Sequence, residues 1–231
     1  MKAFLAAVIL LSNTVVAQSN IAQFAVWKPK NGLNKQFEDG YKQHLQWHKT
    51  NGDTWSWYGW YIISGPRFGY FIDATFDHSW NDWNTPVNPA GDRADNDLHT
   101  VPFGEFQTAY KIAELSELSS ADSIGLRAKF LRMISLSVND MQAALKVVEK
   151  LKSNYTVQAG IKNFQTYKII DGGPINELII LLGFTDYIGY GKSEHLQEDI
   201  AAIENSLKLK VVTGIVSETL LFQPAMSLLK H

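Results

Sequence analysis

The sequence contains no cysteine. That absence excludes a disulfide framework, a thiolate nucleophile, a lipid-modified cysteine anchor and any Cys-ligated metal, so the fold is held together by burial alone. A basic excess is also missing. The chain has 21 Lys+Arg against 23 Asp+Glu, a formal net charge of −2, which gives no electrostatic footprint for nucleic acid or an anionic membrane surface. Past Leu11 no run is long and apolar enough to span a bilayer as a helix. There is no Gly-x-Ser-x-Gly elbow, and no paired glutamates mark glycoside chemistry. Gly189-Tyr190-Gly191-Lys192-Ser193 resembles the end of a phosphate loop, but Asp186 stands where the motif needs its first glycine. It reads instead as a turn with Ser193 capping a helix.

Residues 1–17 have the form of a secretory signal: Lys2 at the start, an apolar run from Ala3 to Leu11, and Val15-Val16-Ala17 before a cut at Gln18. The mature chain is therefore expected to be exported, periplasmic or extracellular, without an integral membrane segment. What remains is long enough for one large domain or two small ones. The boundaries expected are a first repeat over residues 18–128 and a second over 129–231.

What the chain does have is concentrated. Tyr41 to Trp83 holds six of the seven tryptophans (Trp47, Trp55, Trp57, Trp60, Trp80, Trp83) and three of the six histidines (His44, His48, His78). Around it the order is a strand at Gln23–Trp27, a helix at Leu33–Lys49 with Leu33, Phe37, Tyr41 and Leu45 on one face, and strands at Thr54–Ile63 and Tyr70–Phe76 joined by Ser64-Gly65-Pro66-Arg67. The second half repeats this order: strand Phe130–Val138, helix Asp140–Lys152, strand Ile161–Ile170, turn Asp171-Gly172-Gly173-Pro174 and strand Ile175–Phe184. Ile62-Ile63 matches Ile169-Ile170 at an offset of 107, and Pro66 and Phe76 match Pro174 and Phe184 at 108. The pattern is that of a duplicated unit. A closing helix at Ser193–Leu207 and a strand at Leu209–Val216 complete the second copy. For the first, a helix over Phe103–Leu118 and a last strand within Ser123–Ala128 are expected, with residues 84–100 as a long loop.

A β-α-β-β-α-β order is the ferredoxin-like split motif. Two tandem copies give an α+β fold that resembles the dimeric α/β-barrel superfamily, fused here as a pseudo-dimer. The wording of Gly40-Tyr41-Lys42-Gln43-His44-Leu45-Gln46-Trp47-His48, Trp55-Ser56-Trp57-Tyr58-Gly59-Trp60, Ser64-Gly65-Pro66-Arg67-Phe68-Gly69 and Asn88-Pro89-Ala90-Gly91-Asp92 is similar to that of a group of uncharacterised exported bacterial proteins. This similarity covers residues 24–118 and implies no activity.

His44 and His48 lie four apart on the first helix, so both rings project from one side, as in helical metal pairs. With His78 they are the candidate metal ligands; a polar cap beside an aromatic core is the alternative. Asp73, Asp77 and His78 supply further groups near the hairpin. Asp92, Asp95, Asp97 and His99 fall in the expected loop, which is either a solvated acidic segment or a lid; their spacing does not follow a calcium-loop order. Trp55, Trp57, Trp60, Tyr61 and Trp80 are the candidate ligand-stacking residues, against a reading in which they are core alone.

Three functions follow. The first is binding of a small apolar or aromatic ligand in the aromatic and histidine pocket of the first repeat. The superfamily resemblance implies the second, a cofactor-free or metal- or haem-dependent oxygenase with His44 or His48 as general base or ligand, Asp73 or Asp77 as orienter and Arg67 as anion clamp. The third is a surface module using exposed aromatics. The partner expected is a small molecule and not nucleic acid; the cofactor stays open, and the state is a monomer or homodimer.

Overall fold

The computed structural model describes residues 20–230; the expected signal, residues 1–17, lies outside them. Ile21–Pro29 forms strand β1. Along it Ala22, Phe24 and Val26 are buried on one face, and Ile21 and Trp27 on the other. A strand apolar on both faces must be covered on both. The remaining elements are α1 (Asn34–Thr50), β2 (Tyr58–Ser64), β3 (Phe71–His78), α2 (Pro89–His99), β4 (Gly104–Glu114), β5 (Ser120–Ala121), β6 (Phe130–Val138), α3 (Met141–Tyr155), β7 (Ile161–Asp171), β8 (Glu177–Phe184), α4 (Tyr187–Gly191), α5 (Leu196–Leu207) and β9 (Val212–Phe222).

The strands run in the order β4-β1-β3-β2-β9-β6-β8-β7, and β4 also pairs with β7, so the sheet closes on itself. Every pairing is antiparallel. Closure removes the edges along which sheets aggregate. The interior is packed with Phe24, Val26, Trp60, Ile72, Phe76, Leu131, Met133, Tyr167, Leu181 and Leu220. Trp60, expected as a ligand-stacking residue, belongs to this interior and is fully buried. Truncating it would cost about 3–5 kcal/mol.

Helices cover the outside of the barrel in two unlike ways. Over β6–β9 the stripe Ala144, Val147, Val148 and Leu151 of α3 and Leu196, Ile200 and Ile203 of α5 close a dry aliphatic layer on Ile134, Leu136, Leu178 and Ile180. Asp140 caps α3 by accepting from the Ala143 N–H. Over β1–β4 the apolar layer is smaller and aromatic: Trp27, Phe37, Tyr41, Leu45, Phe71 and Met226. Polar groups occupy the rest of that interface.

Expectations fail in both halves, two of them in the first. Residues 84–100, expected as a loop, carry α2, started by Asn88 in a left-handed conformation and Pro89 in the first turn. Phe103–Leu118, expected as a helix, contains strand β4, so the last strand of this half lies earlier than Ser123–Ala128. Thr108, Tyr110 and Ile112 alternate along β4 as a strand requires. A register shift opposite Val26 and Trp27 then places Phe106, not Gln107, against Trp27. Such a bulge re-aims a side chain. In the second half, Tyr187–Gly191 is a short helix, and Ser193 does not cap α5; its hydroxyl donates to the Tyr190 carbonyl.

Among the described residues no helix is long and apolar enough to cross a membrane.

Candidate functional site

The site lies between α1, α2 and the outer face of β1, β3 and β4, not between the two facing halves of the sheet. Helix α1 buries Phe37, Gly40, Tyr41, His44, Leu45 and His48 on one stripe. The apolar members seat the helix; the two histidines continue the same face past the aromatic layer. Asn51-Gly52 then reverses the chain, with Gly52 at φ +72°. The turn brings Asp53 back beneath the helix end, where its N–H donates to the His48 carbonyl at 3.0 Å.

Opposite, α2 presents Asp92, Asp95 and His99 at helical spacing. The Nε2 atoms of His44 and His48 are 3.2 Å apart. Asp92 Oδ1 is 3.3 Å from the first and 3.4 Å from the second. That oxygen is buried and without a hydrogen-bond partner among the described residues. The other nitrogen of each ring meets a different carboxylate: His44 Nδ1 lies 2.9 Å from Asp95 Oδ2, and His48 Nδ1 lies 2.8 Å from Asp53 Oδ2. Those carboxylates are anchored in turn. Asp95 Oδ1 contacts His99 Nδ1 at 3.1 Å, and Asp53 accepts from the Trp55 N–H and from Trp57 Nε1 at 2.9 and 2.8 Å.

Burial sets the charge states. It lowers the His44 pKa, favouring the neutral ring, and raises that of Asp92. It also pushes Asp53 upward, but the contacts from His48, Trp55 and Trp57 outweigh it and hold that carboxylate below its usual value. Asp73 of β3 accepts from Trp27 Nε1 at 3.0 Å. Burial raises its pKa to about 7 against the opposing effect of Trp27, His48 and Tyr41.

These groups face a cavity of roughly 180 Å³ lined by Trp27, Tyr41, His44, His48, Trp57, Asp73, Asp92, Asn96 and Phe106. A dry cavity of about 150 Å³ is large enough for benzene. This one is of a size to take a single aromatic ring. A haem does not fit: the volume is below the ~300–1,000 Å³ of pockets that enclose cofactors or drug-sized ligands, and both candidate axial nitrogens are turned on each other and on Asp92.

Of the candidate catalytic, metal and ligand-stacking residues, His44, His48, Asp73 and Trp57 meet at this cavity. The others do not. His78 is buried separately: its Nε2 is 2.5 Å from Thr75 Oγ1, and its ring packs on Trp55 at 4.2 Å between centroids. Tyr61 packs on Phe71, and Trp80 is 53% exposed. Arg67 is no free anion clamp. Its guanidinium is paired with the buried Glu218 of β9, with Nε 3.0 Å from Oε2. Asp77 accepts from the side chain of Asn20 at 3.1 Å, outside the cavity lining. Sequence reasoning missed Trp27, Phe106, Asp53, Asp92, Asp95 and Asn96 as site residues; Asn88-Pro89 followed by Asp92, Asp95 and His99 at helical spacing is the signal that could have found the α2 members.

No protein-family model matches the chain, and no curated protein matches it in sequence. Solved structures do match in shape. A candidate monooxygenase from Lactobacillus acidophilus superposes with a TM-score of 0.61 at 11% identity, covering 89% of this chain and 94% of that one. A candidate monooxygenase from Fusobacterium nucleatum gives 0.61 at 9%, with coverages of 89% and 93%. The chain has the ferredoxin-like dimeric α/β-barrel fold. A mutant chlorite dismutase from Candidatus Nitrospira defluvii shares it at a TM-score of 0.53 and 6% identity, with 90% and 92% covered. Identities this low speak for the fold; the chemistry has to be argued from the site.

Proposed function

We propose that the chain is an exported oxygenase-type enzyme that takes a small, electron-rich aromatic molecule into the cavity between α1, α2 and β1–β4. One observation carries this reading: two imidazoles and two carboxylates, His44, His48, Asp73 and Asp92, line one cavity. Burying ionisable groups is costly, and a pocket for an inert apolar ligand needs none of them. Trp27, Tyr41, Trp57 and Phe106 supply ring contacts for the substrate, while the imidazoles and carboxylates supply proton acceptors and donors at its edge. The fold, shared with proteins described as monooxygenases, supports the same class of chemistry at the level of analogy.

The test is oxygen uptake by the mature chain with single-ring phenols and hydroquinones, comparing wild type with His48→Ala and Trp57→Ala. Uptake by the wild type and its loss in both variants is expected. Saturable binding, seen as tryptophan quenching, with no oxygen uptake on any substrate would leave a binding protein and overturn the catalytic reading.

A further inference from the structure

The three atoms His44 Nε2, His48 Nε2 and Asp92 Oδ1 form a nearly equilateral triangle with edges of 3.2, 3.3 and 3.4 Å. A point equidistant from all three in their plane lies about 1.9 Å from each. Zinc-type ions take imidazole nitrogen and carboxylate oxygen at about 2.0–2.2 Å. An ion at that distance from all three sits just off the triangle, with one side left open.

The ring chemistry points the same way. His44 Nδ1 is hydrogen-bonded to Asp95, and His48 Nδ1 lies 2.8 Å from Asp53 Oδ2; with the proton of each ring on Nδ1, both Nε2 atoms present lone pairs. These face each other and a carboxylate oxygen that has no hydrogen-bond partner among the described residues. Three electron-rich atoms within 3.4 Å of one another, two of them on histidines only 6% and 3% exposed, repel unless a metal cation or a shared proton lies between them. A carboxylate on the far nitrogen of each ring is also the arrangement that orients histidine ligands and strengthens their donation to a metal. Here both carboxylates are themselves anchored, by His99 and by Trp55 and Trp57.

We propose that His44, His48 and Asp92 bind one divalent first-row transition-metal ion, with Asp53 and Asp95 as positioning residues and the open coordination side facing the aromatic cavity. Two imidazoles and one carboxylate with vacant positions are a ligand set suited to iron(II) and also accepted by zinc and cobalt. Magnesium, which prefers oxygen ligands and keeps its waters, is disfavoured. The site deepens the proposed function and rests on the same cavity, so its test separates the metal from turnover.

The mature chain is stripped with chelator and titrated calorimetrically with Zn²⁺, with Fe²⁺ under argon, and with Mg²⁺. One equivalent of Zn²⁺ and of Fe²⁺, and no detectable Mg²⁺, is expected. Asp92→Asn should weaken binding at least tenfold, His48→Ala should abolish it, and Asp53→Asn and Asp95→Asn should each weaken it about 10–100-fold. Asp82→Asn, beside the separate His78, should change nothing. Circular dichroism identifies any variant that fails to fold; Asp92→Asn, at a partly exposed side chain, keeps the test decisive if His48→Ala unfolds. Binding below one-fifth of an equivalent in the wild type, or binding unchanged by Asp92→Asn, overturns the proposal and leaves a proton shared between the two histidines. Metal bound in one equivalent without oxygen uptake on any substrate removes the catalytic reading alone. Uptake that persists in the stripped chain, with one equivalent still bound on titration, removes the metal from turnover and leaves the binding site.

Discussion

Gly40 of α1 lies so close to the His99 carbonyl of α2 that a Cβ on it would fall 1.8 Å from that oxygen. This contact sets the spacing of the two helices, and with it the distance from His44 and His48 to Asp92 and Asp95. Gly40→Ala must push backbone against backbone, because no flexible side chain is there to yield. Overpacking of this kind costs about 1–3 kcal/mol. The expected result is a lower urea midpoint together with metal affinity weakened at least tenfold. A variant that binds metal like the wild type would show that the helix spacing does not set the site.

Asp73 gives the metal-free protein a pH signature. The unfolded chain releases this proton near 3.8 and the folded chain near 7. Between those values the native state holds the extra proton, so this group's contribution is fully present below about 4 and is lost as pH rises towards 7. The slope is at most about 1.4 kcal/mol per pH unit. Urea unfolding at pH 5 and pH 7 should show the wild type losing more stability, or gaining less, than Asp73→Asn across that interval. Equal changes in the two proteins would place the proton elsewhere.

Arg67 and Glu218 tie the β2–β3 turn to β9, linking the two halves of the barrel. Glu218 is 3% exposed, so Arg67→Ala leaves an uncompensated buried carboxylate. Removing one partner of a buried pair typically costs about 3–5 kcal/mol, less here because Arg67 is partly exposed. Arg67→Met with Glu218→Gln should recover much of the loss. Metal affinity should stay within twofold in both variants. A selective loss of affinity in Arg67→Ala, with stability intact, would restore a direct role for this arginine in the site.

Trp57 acts on the site at two points: its ring walls the cavity, and its Nε1–H donates to Asp53 at 2.8 Å. Trp57→Phe keeps the ring and removes the donor. Metal binding should weaken several-fold while affinity for a single-ring phenol changes little. Trp57→Ala should weaken both, and titration of each ligand on the two variants separates the effects.

Much of the fold is legible along the chain because burial imposes a period. Strand β6 is readable as Phe130–Val138, and α1 is readable from the four-residue spacing of Phe37, Tyr41 and Leu45. The period fails where the site is built. Helix α2 has no buried residue; its inward side is Asp92, Asp95 and His99, which meet other polar groups and leave no apolar stripe to detect. Strand β4 has its alternation broken by the bulge at Phe106 and by the exposed Glu105 and Gln107. The His44/His48 pair is visible because both residues lie on one helix. Asp92 is separated from them by the whole β2–β3 hairpin, and only tertiary packing brings it within reach. Composition concentrates attention on the tryptophans, yet Trp60 fills the barrel and Trp80 stands outside it; aromatic content alone does not distinguish core, rim and surface.

The most direct test of the account is X-ray absorption at the zinc or iron edge of the metal-loaded protein. Two nitrogen donors and one carboxylate oxygen in the first shell at about 2.0–2.2 Å, with outer-shell scattering from two imidazoles, is the predicted result. A shell of oxygen donors alone, without imidazole scattering, would contradict it.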